Sequence, residues 1–244
     1  MKLKVISTGS KGNAYILYNE DEALLLECGV GIKEIKKALD FNYSKVDGCL
    51  VTHEHGDHAL SCDALIKLGI DVYASAGTFE ALKVVSHRAK QMKAKQIYNI
   101  GNFRVMPFDI KHDVKEPFGF LIHHEECGNV LFLTDTFYSK YKFPGLNNII
   151  IEANYSKEII DAKFGPDSEM YFLRNRILKS HMSLENCIKL LKANKVDSSE
   201  VNNIVLIHLS DGNSHELQFK EAVQKATGKN VIVASNNMNI NFNK

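Results

Sequence analysis

The stretch Thr52-His53-Glu54-His55-Gly56-Asp57-His58 directly follows the apolar run Gly48 to Thr52 and directly precedes a helical pattern. Residues two apart on an extended chain point to the same side, so His53 and His55 present their imidazoles together. Gly56 lets the chain turn sharply, which puts Asp57 and His58 at a helix start where they can serve a second cation. Neutral imidazoles and carboxylates are the donor set that Zn²⁺ favours, and Mn²⁺ or Fe fit the same geometry. With 10 His in 244 residues, composition alone would yield an HxHxDH string in about one such chain in a thousand. Coincidence is therefore a poor explanation.

One motif supplies too few ligands for two metals, so further His and Asp are required at strand ends later in the chain. His112 follows the run Phe103 to Ile110, Asp135 follows Val130 to Thr134, and His208 follows Ile204 to Ile207. Taken singly, each reads as an ordinary loop residue or a hydrogen-bonded core histidine. Their shared place just past an apolar run points instead to a common site at one sheet edge.

The frame around these residues is α/β. Strands are predicted at Leu3 to Thr8, Ala14 to Tyr18, Ala23 to Glu27, Gly48 to Thr52, Asp71 to Ala74 and Phe103 to Ile110. A hairpin, Phe118 to His123 and Asn129 to Thr134, follows, then Asn148 to Glu152, Asn203 to His208 and Asn230 to Ala234. Helical patterns cover Ile32 to Leu39, Ala59 to Leu68, Thr78 to Val85, Leu184 to Ala193 and His215 to Ala226, the last with Ser214 as N-cap. Strands come in two blocks, each followed by helices, so two face-to-face sheets with helices outside are expected in one domain spanning residues 1–244. Val84 to Ile97, carrying Arg88, Lys90, Lys93 and Lys95, reads as a solvated helix face or a phosphate-contacting flap.

Composition narrows the function. A content of 45% hydrophobic and 24% charged residues is that of a globular protein with a real core. No run approaches a membrane span, and Met1 to Ile6 carries no signal-peptide pattern, so a cytoplasmic protein is expected. The net charge of +1 argues against a general positive field for coating long nucleic acids. The five cysteines are widely spaced without a CxxC pair, which indicates reduced, buried thiols.

These motifs identify the sequence as resembling the metallo-β-lactamase superfamily, with its αββα sandwich and a dinuclear metal site at one sheet edge. The resemblance implies that His53, His55 and His112 hold the first cation, that Asp57, His58 and His208 hold the second, and that Asp135 bridges them. Two divalent ions, zinc before manganese, are the implied cofactors. Glu27-Cys28-Gly29 stands where the family usually has an aspartate before a glycine. Within the superfamily, Ser7 to Tyr15, His112-Asp113 followed by Pro117-Phe118-Gly119-Phe120, Glu152-Ala153-Asn154-Tyr155, His181-Met182-Ser183 and His208-Leu209-Ser210 resemble the YycJ/WalJ-like group, and the sequence also looks like the anti-Pycsar phage family. Glu152 and His181 resemble the pair that acts in transfer-RNA 3′-processing phosphodiesterases, so these two and Asp57 are expected to be catalytic. Ser10 and Asn13 are expected to touch substrate.

The implied activity is hydrolysis of a cyclic mononucleotide to a linear monophosphate, of the kind that defeats antiphage cyclic-nucleotide signalling. A YycJ/WalJ-like DNA exonuclease, which would take extended nucleic acid, is the main alternative and should add a basic track, for which Arg88 to Lys95 and Arg174 to Lys179 are the candidates. Transfer-RNA processing lacks the expected glycine-rich arm, lactam or thioester hydrolysis leaves Glu152 and His181 idle, and a binding-only module would have lost ligands. The resemblance also implies a homodimer, with the irregular Phe164 to Leu178 as a segment covering a neighbouring subunit's pocket.

Overall fold

A computed structural model describes residues 1–164, 171–210 and 212–244, with the backbone alone at 171–173. The strands are β1 (Lys2–Ser7), β2 (Ala14–Tyr18), β3 (Ala23–Leu26), β4 (Val46–Leu50), β5 (Val72–Ser75), β6 (Ala89–Met92), β7 (Tyr98–Ile100), β8 (Phe103–Asp109), β9 (Phe118–His124), β10 (Gly128–Leu133), β11 (Leu146–Glu152), β12 (Asn203–Ile207), β13 (Asn230–Val233) and β14 (Asn239–Asn241). The helices are α1 (Ile32–Ala38), α2 (Gly56–Ala59), α3 (Cys62–Lys67), α4 (Ala76–Leu82), α5 (Lys157–Lys163), α6 (Tyr171–Ser180), α7 (Leu184–Ala193) and α8 (Glu216–Thr227).

Two sheets form, in the orders β14-β1-β2-β3-β4-β5-β6 and β13-β12-β11-β10-β9-β8-β7. Each is built on one plan. Strands β14, β1, β2 and β3 pair antiparallel and β3 to β6 parallel; β7 to β10 pair antiparallel and β10 to β13 parallel. Alternation along the strands sets the layers, because neighbouring side chains point to opposite faces. Leu3, Val5, Tyr15, Leu17, Leu24 and Leu26 pack in one buried cluster with Phe103, Val105, Phe118, Phe120 and Phe132 of the other sheet. The alternate residues Ile16, Leu25 and Cys49 meet Ile35, Leu65 and Phe79 of the first helical layer. On the far side, Ile149, Ile151, Ile204 and Leu206 meet Cys187, Leu190, Phe219 and Val223 of α7 and α8. The result is the expected αββα sandwich.

Several local expectations are corrected. Val84 to Ile97 is neither a helix face nor a flap: it contains β6, which pairs with β5, and Arg88 and Lys90 lie 2.8 and 3.4 Å from Asp71 carboxylate oxygens. The helix expected at Ala59 to Leu68 is shortened to α3 and is separated at Leu60 and Ser61 from α2, which begins earlier, at Gly56. The cap of α8 is His215, which accepts from the Gln218 amide, while Ser214 Oγ donates to the Ser210 carbonyl. Strands β7 and β14 and helix α5 had no sequence signal. Of Phe164 to Leu178, residues 165–170 lie outside the described residues, and Tyr171–Ser180 is helical.

Candidate metal centre

Parallel strands carry their following loops at one edge, where side chains from both sheets can meet. Thr52 to His58 follow β4, Asp135 follows β10, Glu152 closes β11 and His208 follows β12, while His112 lies beyond β8. Three of the strand-end residues are left-handed: Glu27 at φ 63°, Asp135 at φ 47° and His208 at φ 54°. A non-glycine residue holds that conformation at a cost of about 1–3 kcal/mol, and such outliers gather at functional sites.

The expected ligands converge in two groups. His53 Nε2 lies 3.1 Å and His112 Nε2 lies 3.2 Å from His55 Nδ1. In the second group, Asp57 Oδ2 lies 3.5 Å from His58 Nε2 and 3.6 Å from His208 Nε2. Asp135 stands between them, its Oδ2 3.4 Å from His58 Nε2, 3.7 Å from His112 Nε2 and 3.9 Å from His53 Nε2. Donors within each triad lie no more than 4.8 Å apart.

The nitrogens facing away from the cluster lie beside polar groups, hydrogen-bonded for His53 and His208 and facing a carboxylate without a hydrogen bond for His58 and His112. His53 Nδ1 lies 2.9 Å from Thr52 Oγ1, His112 Nδ1 3.3 Å from Asp113, and His208 Nδ1 3.0 Å from Glu152 Oε1. His58 Nδ1 faces Glu27 Oε1 at 3.6 Å, and Glu27 is itself held by the Thr52 amide. Ligating histidines are oriented this way in metal sites. On the cluster side, His208 Nε2 is buried and has no hydrogen-bond partner among the described residues, while it faces Asp57. A buried polar atom without a partner is costly unless something else binds it. The donor sets fit a divalent cation in each group, and in the second the orphaned nitrogen adds to that fit.

The electrostatics agree. Burial, reinforced by the adjacent imidazoles, pushes His53 well below its ordinary value, so it stands neutral and ready to ligate. Burial also opposes charge on His58 and His208, but the surrounding carboxylates, Asp135 above all, outweigh it and raise both, His208 to about 10. Burial alone would raise Asp135, yet His208 and His58 hold it well below the usual carboxylate range. Cation binding would expel the two imidazole protons, so metal affinity should weaken as pH falls.

Beside the second triad stands a separate pair. His181 Nδ1 lies 2.7 Å from Glu152 Oε1, and the other carboxylate oxygen of Glu152 accepts from the Thr136 and Met182 amides. Burial lowers His181, but the Glu152 charge and hydrogen bond overcome it and raise the ring. The side chains of His181 and Asp57 keep 21% and 28% exposure, and with the half-buried His55 they form the open rim of the cluster.

The two residues expected to bind substrate fall in different surroundings. Ser10 is exposed at a loop tip, whereas Asn13 is buried and its amide donates to the Gly9 and Asp57 carbonyls. The supporting residues lie in motifs quoted from the sequence, but the sequence gives them no role. Besides Thr52 and Asp113, Asn154 donates to the His208 carbonyl at 2.9 Å, and Thr8 Oγ1 accepts from the His208 amide at 3.0 Å.

The chain matches the β-lactamase superfamily domain over residues 24–209. It belongs to that superfamily. The fold is its metallo-β-lactamase sandwich, and the chain is a metal-dependent hydrolase. It is 28% identical over 231 residues to exodeoxyribonuclease YycJ of Bacillus anthracis, covering 89% of this chain and 86% of that one. It is 29% identical to exodeoxyribonuclease WalJ of Streptococcus pneumoniae over 202 residues, covering 76% and 73%. Among solved structures, the metallo-β-lactamase fold protein YhfI from Bacillus subtilis superposes with a TM-score of 0.74 at 17% identity, covering 98% and 99%.

One glycine ties this superfamily fold to the ligands. A Cβ on Gly29 would stand 1.8 Å from the Asp57 carbonyl oxygen, because Cys28 and Asn13 clamp the Asp57-His58 backbone against it through bonds of 2.8 Å each. Gly29→Ala is expected to fold and yet to bind the second cation about 10–100-fold more weakly, as read by chelator competition. Unchanged affinity would show that this close approach does not set the ligand geometry.

Proposed function

We propose that the protein is a phosphodiesterase that uses two divalent cations, zinc before manganese, to hydrolyse cyclic mononucleotides to linear monophosphates. The observation that carries the phosphodiesterase reading is the Glu152–His181 pair at the rim of the cluster, 2.7 Å apart. His53, His55 and His112 would hold one cation and Asp57, His58 and His208 the other, with Asp135 between. Bound there, the cations would withdraw charge from the phosphoryl oxygens and make water a stronger nucleophile near neutral pH.

The chain's own residues supply the rest. Hydrolysis adds the oxygen of water to phosphorus and breaks a phosphorus–oxygen bond, whose electron pair leaves on an alkoxide. His181 faces Glu152 through Nδ1, which leaves Nε2 to give that alkoxide its proton; the proton released by water passes to solvent, from which His181 is recharged. Glu152 keeps His181 oriented and protonated, and Asp57, at the open rim, orients the attacking water. Lactam or thioester hydrolysis would leave this pair without a task.

Charge bears on substrate size. Arg88 and Lys90 are engaged by Asp71, Arg174 Nε lies 3.2 Å from Asp161, and Arg176 lies 3.6 Å from Asp113. Four cations of the two basic stretches that a long strand would need are thus paired with carboxylates within the chain, which favours a small substrate and the antiphage-signal role. A second reading, removal of nucleotides from DNA ends, is favoured by the relatives named exodeoxyribonucleases. A cytoplasmic homodimer accompanies either reading.

His181→Ala is expected to keep its metal content and to lose about 10²–10⁴ in kcat, the range for removal of a general acid. Loss of metal as well, measured by mass spectrometry, would make His181 a ligand. Cyclic mononucleotides should lose little kcat/KM between roughly 50 and 200 mM salt, since a single phosphate releases few counterions. Fast cutting of DNA ends with a steep salt slope, alongside negligible cyclic-nucleotide turnover, would establish the second reading instead.

A further inference from the structure

The loop between β1 and β2 carries Thr8-Gly9-Ser10-Lys11-Gly12-Asn13, and the ligand geometry uses its two ends: Thr8 at the His208 amide, Asn13 at the Asp57 carbonyl. Its middle is unused by that geometry. It forms one wall of a cavity of about 390 Å³, whose other walls come from Leu209 and Ser210 after β12, Ser214 before α8, and Ser235 and Asn236 after β13. The volume falls in the range of roughly 300–1,000 Å³ typical of small-ligand sites. Gly9, at φ +106°, gives the loop a backbone conformation in which a side chain would be strained.

We infer that this cavity is the subsite for the nucleoside, sugar and base together, of the phosphodiester cut at the neighbouring cluster. The inference rests on the phosphodiesterase reading and is indifferent to whether the nucleotide is cyclic or a DNA end. Continuity places it there: Leu209 follows the ligand His208 directly, and Thr8 both lines the cavity and accepts from the His208 amide. Chemistry selects the occupant. The walls offer serine hydroxyls and the Asn236 amide, which serve as donors and acceptors for sugar hydroxyls and base edges, and Val233 and Ala234 offer an apolar surface for a ring. Glu216 also lines the cavity, and its carboxylate disfavours a second phosphate while it can accept from a sugar hydroxyl. Lys11 is the cation of the lining, suited to the phosphate that joins the nucleoside to the cluster.

Two chromogenic esters separate the subsite from the chemistry. Thymidine 5′-monophosphate p-nitrophenyl ester carries a nucleoside; bis(p-nitrophenyl) phosphate is a phosphodiester without one. Ser235→Phe places a ring in the cavity from an exposed position, and Ser10→Trp does so from the opposite wall, so neither change disturbs the core. In both variants the ratio of kcat/KM for the thymidine ester to that for bis(p-nitrophenyl) phosphate should fall about ten-fold or more, chiefly through KM. An unchanged ratio in both variants would overturn the subsite. Failure of the wild-type protein to hydrolyse either ester would instead overturn the phosphodiesterase reading. Calorimetric binding of thymidine 5′-monophosphate to the metal-loaded protein then still decides the subsite: binding to wild type that both fillings abolish supports it, and equal binding to all three proteins, or none to wild type, contradicts it.

Discussion

Asp135 is buried with its carboxylate 3.4 Å from His58, 3.7 Å from His112 and 3.2 Å from His208. An ionised carboxylate in the interior is expensive unless charge and hydrogen bonds surround it, and here the imidazoles of both sheets do so. His53, His58 and His112 reach it from the first block of strands or the loop beyond β8, and His208 from the last parallel strands. Neither sheet alone could assemble that environment. The packing of Tyr15, Phe118, Phe120 and Phe132 between the sheets is therefore what sets the distance across the site.

The repeated plan of the two sheets explains why so much chemistry falls at one edge. Parallel strands deliver their C-terminal ends to one side, and Glu27, Asp135 and His208 leave those ends through left-handed turns. That conformational cost is sustained by fixed hydrogen bonds around each turn: the Thr52 amide on Glu27, Thr134 Oγ1 on Asp135, and Thr8 and Asn154 on His208. Glu152 then ties two parts of the site together, since its Oε1 lies 3.0 Å from His208 Nδ1 and 2.7 Å from His181 Nδ1.

The sandwich and the cluster were legible because both rest on local pattern. The dense string at 52–58 and single polar residues placed after apolar runs needed no three-dimensional knowledge to connect. What stayed hidden depends on partners far apart in sequence. Strands β7 and β14 are three residues each and polar on alternate positions, too short to stand out as periodic. The basic run around Arg88 looked like a solvated face until Asp71, seventeen residues earlier, was seen to engage it. The approach of Gly29 to Asp57 and the Thr8 contact to His208 are likewise long-range.

The central claim is that one chain holds two divalent cations in adjoining triads bridged by Asp135. Diffraction from zinc-grown crystals, recorded on both sides of the zinc absorption edge, tests it directly. The account predicts two anomalous peaks per chain, one among His53, His55 and His112 and the other among Asp57, His58 and His208, with Asp135 touching both. A single peak, or peaks outside these triads, would contradict it.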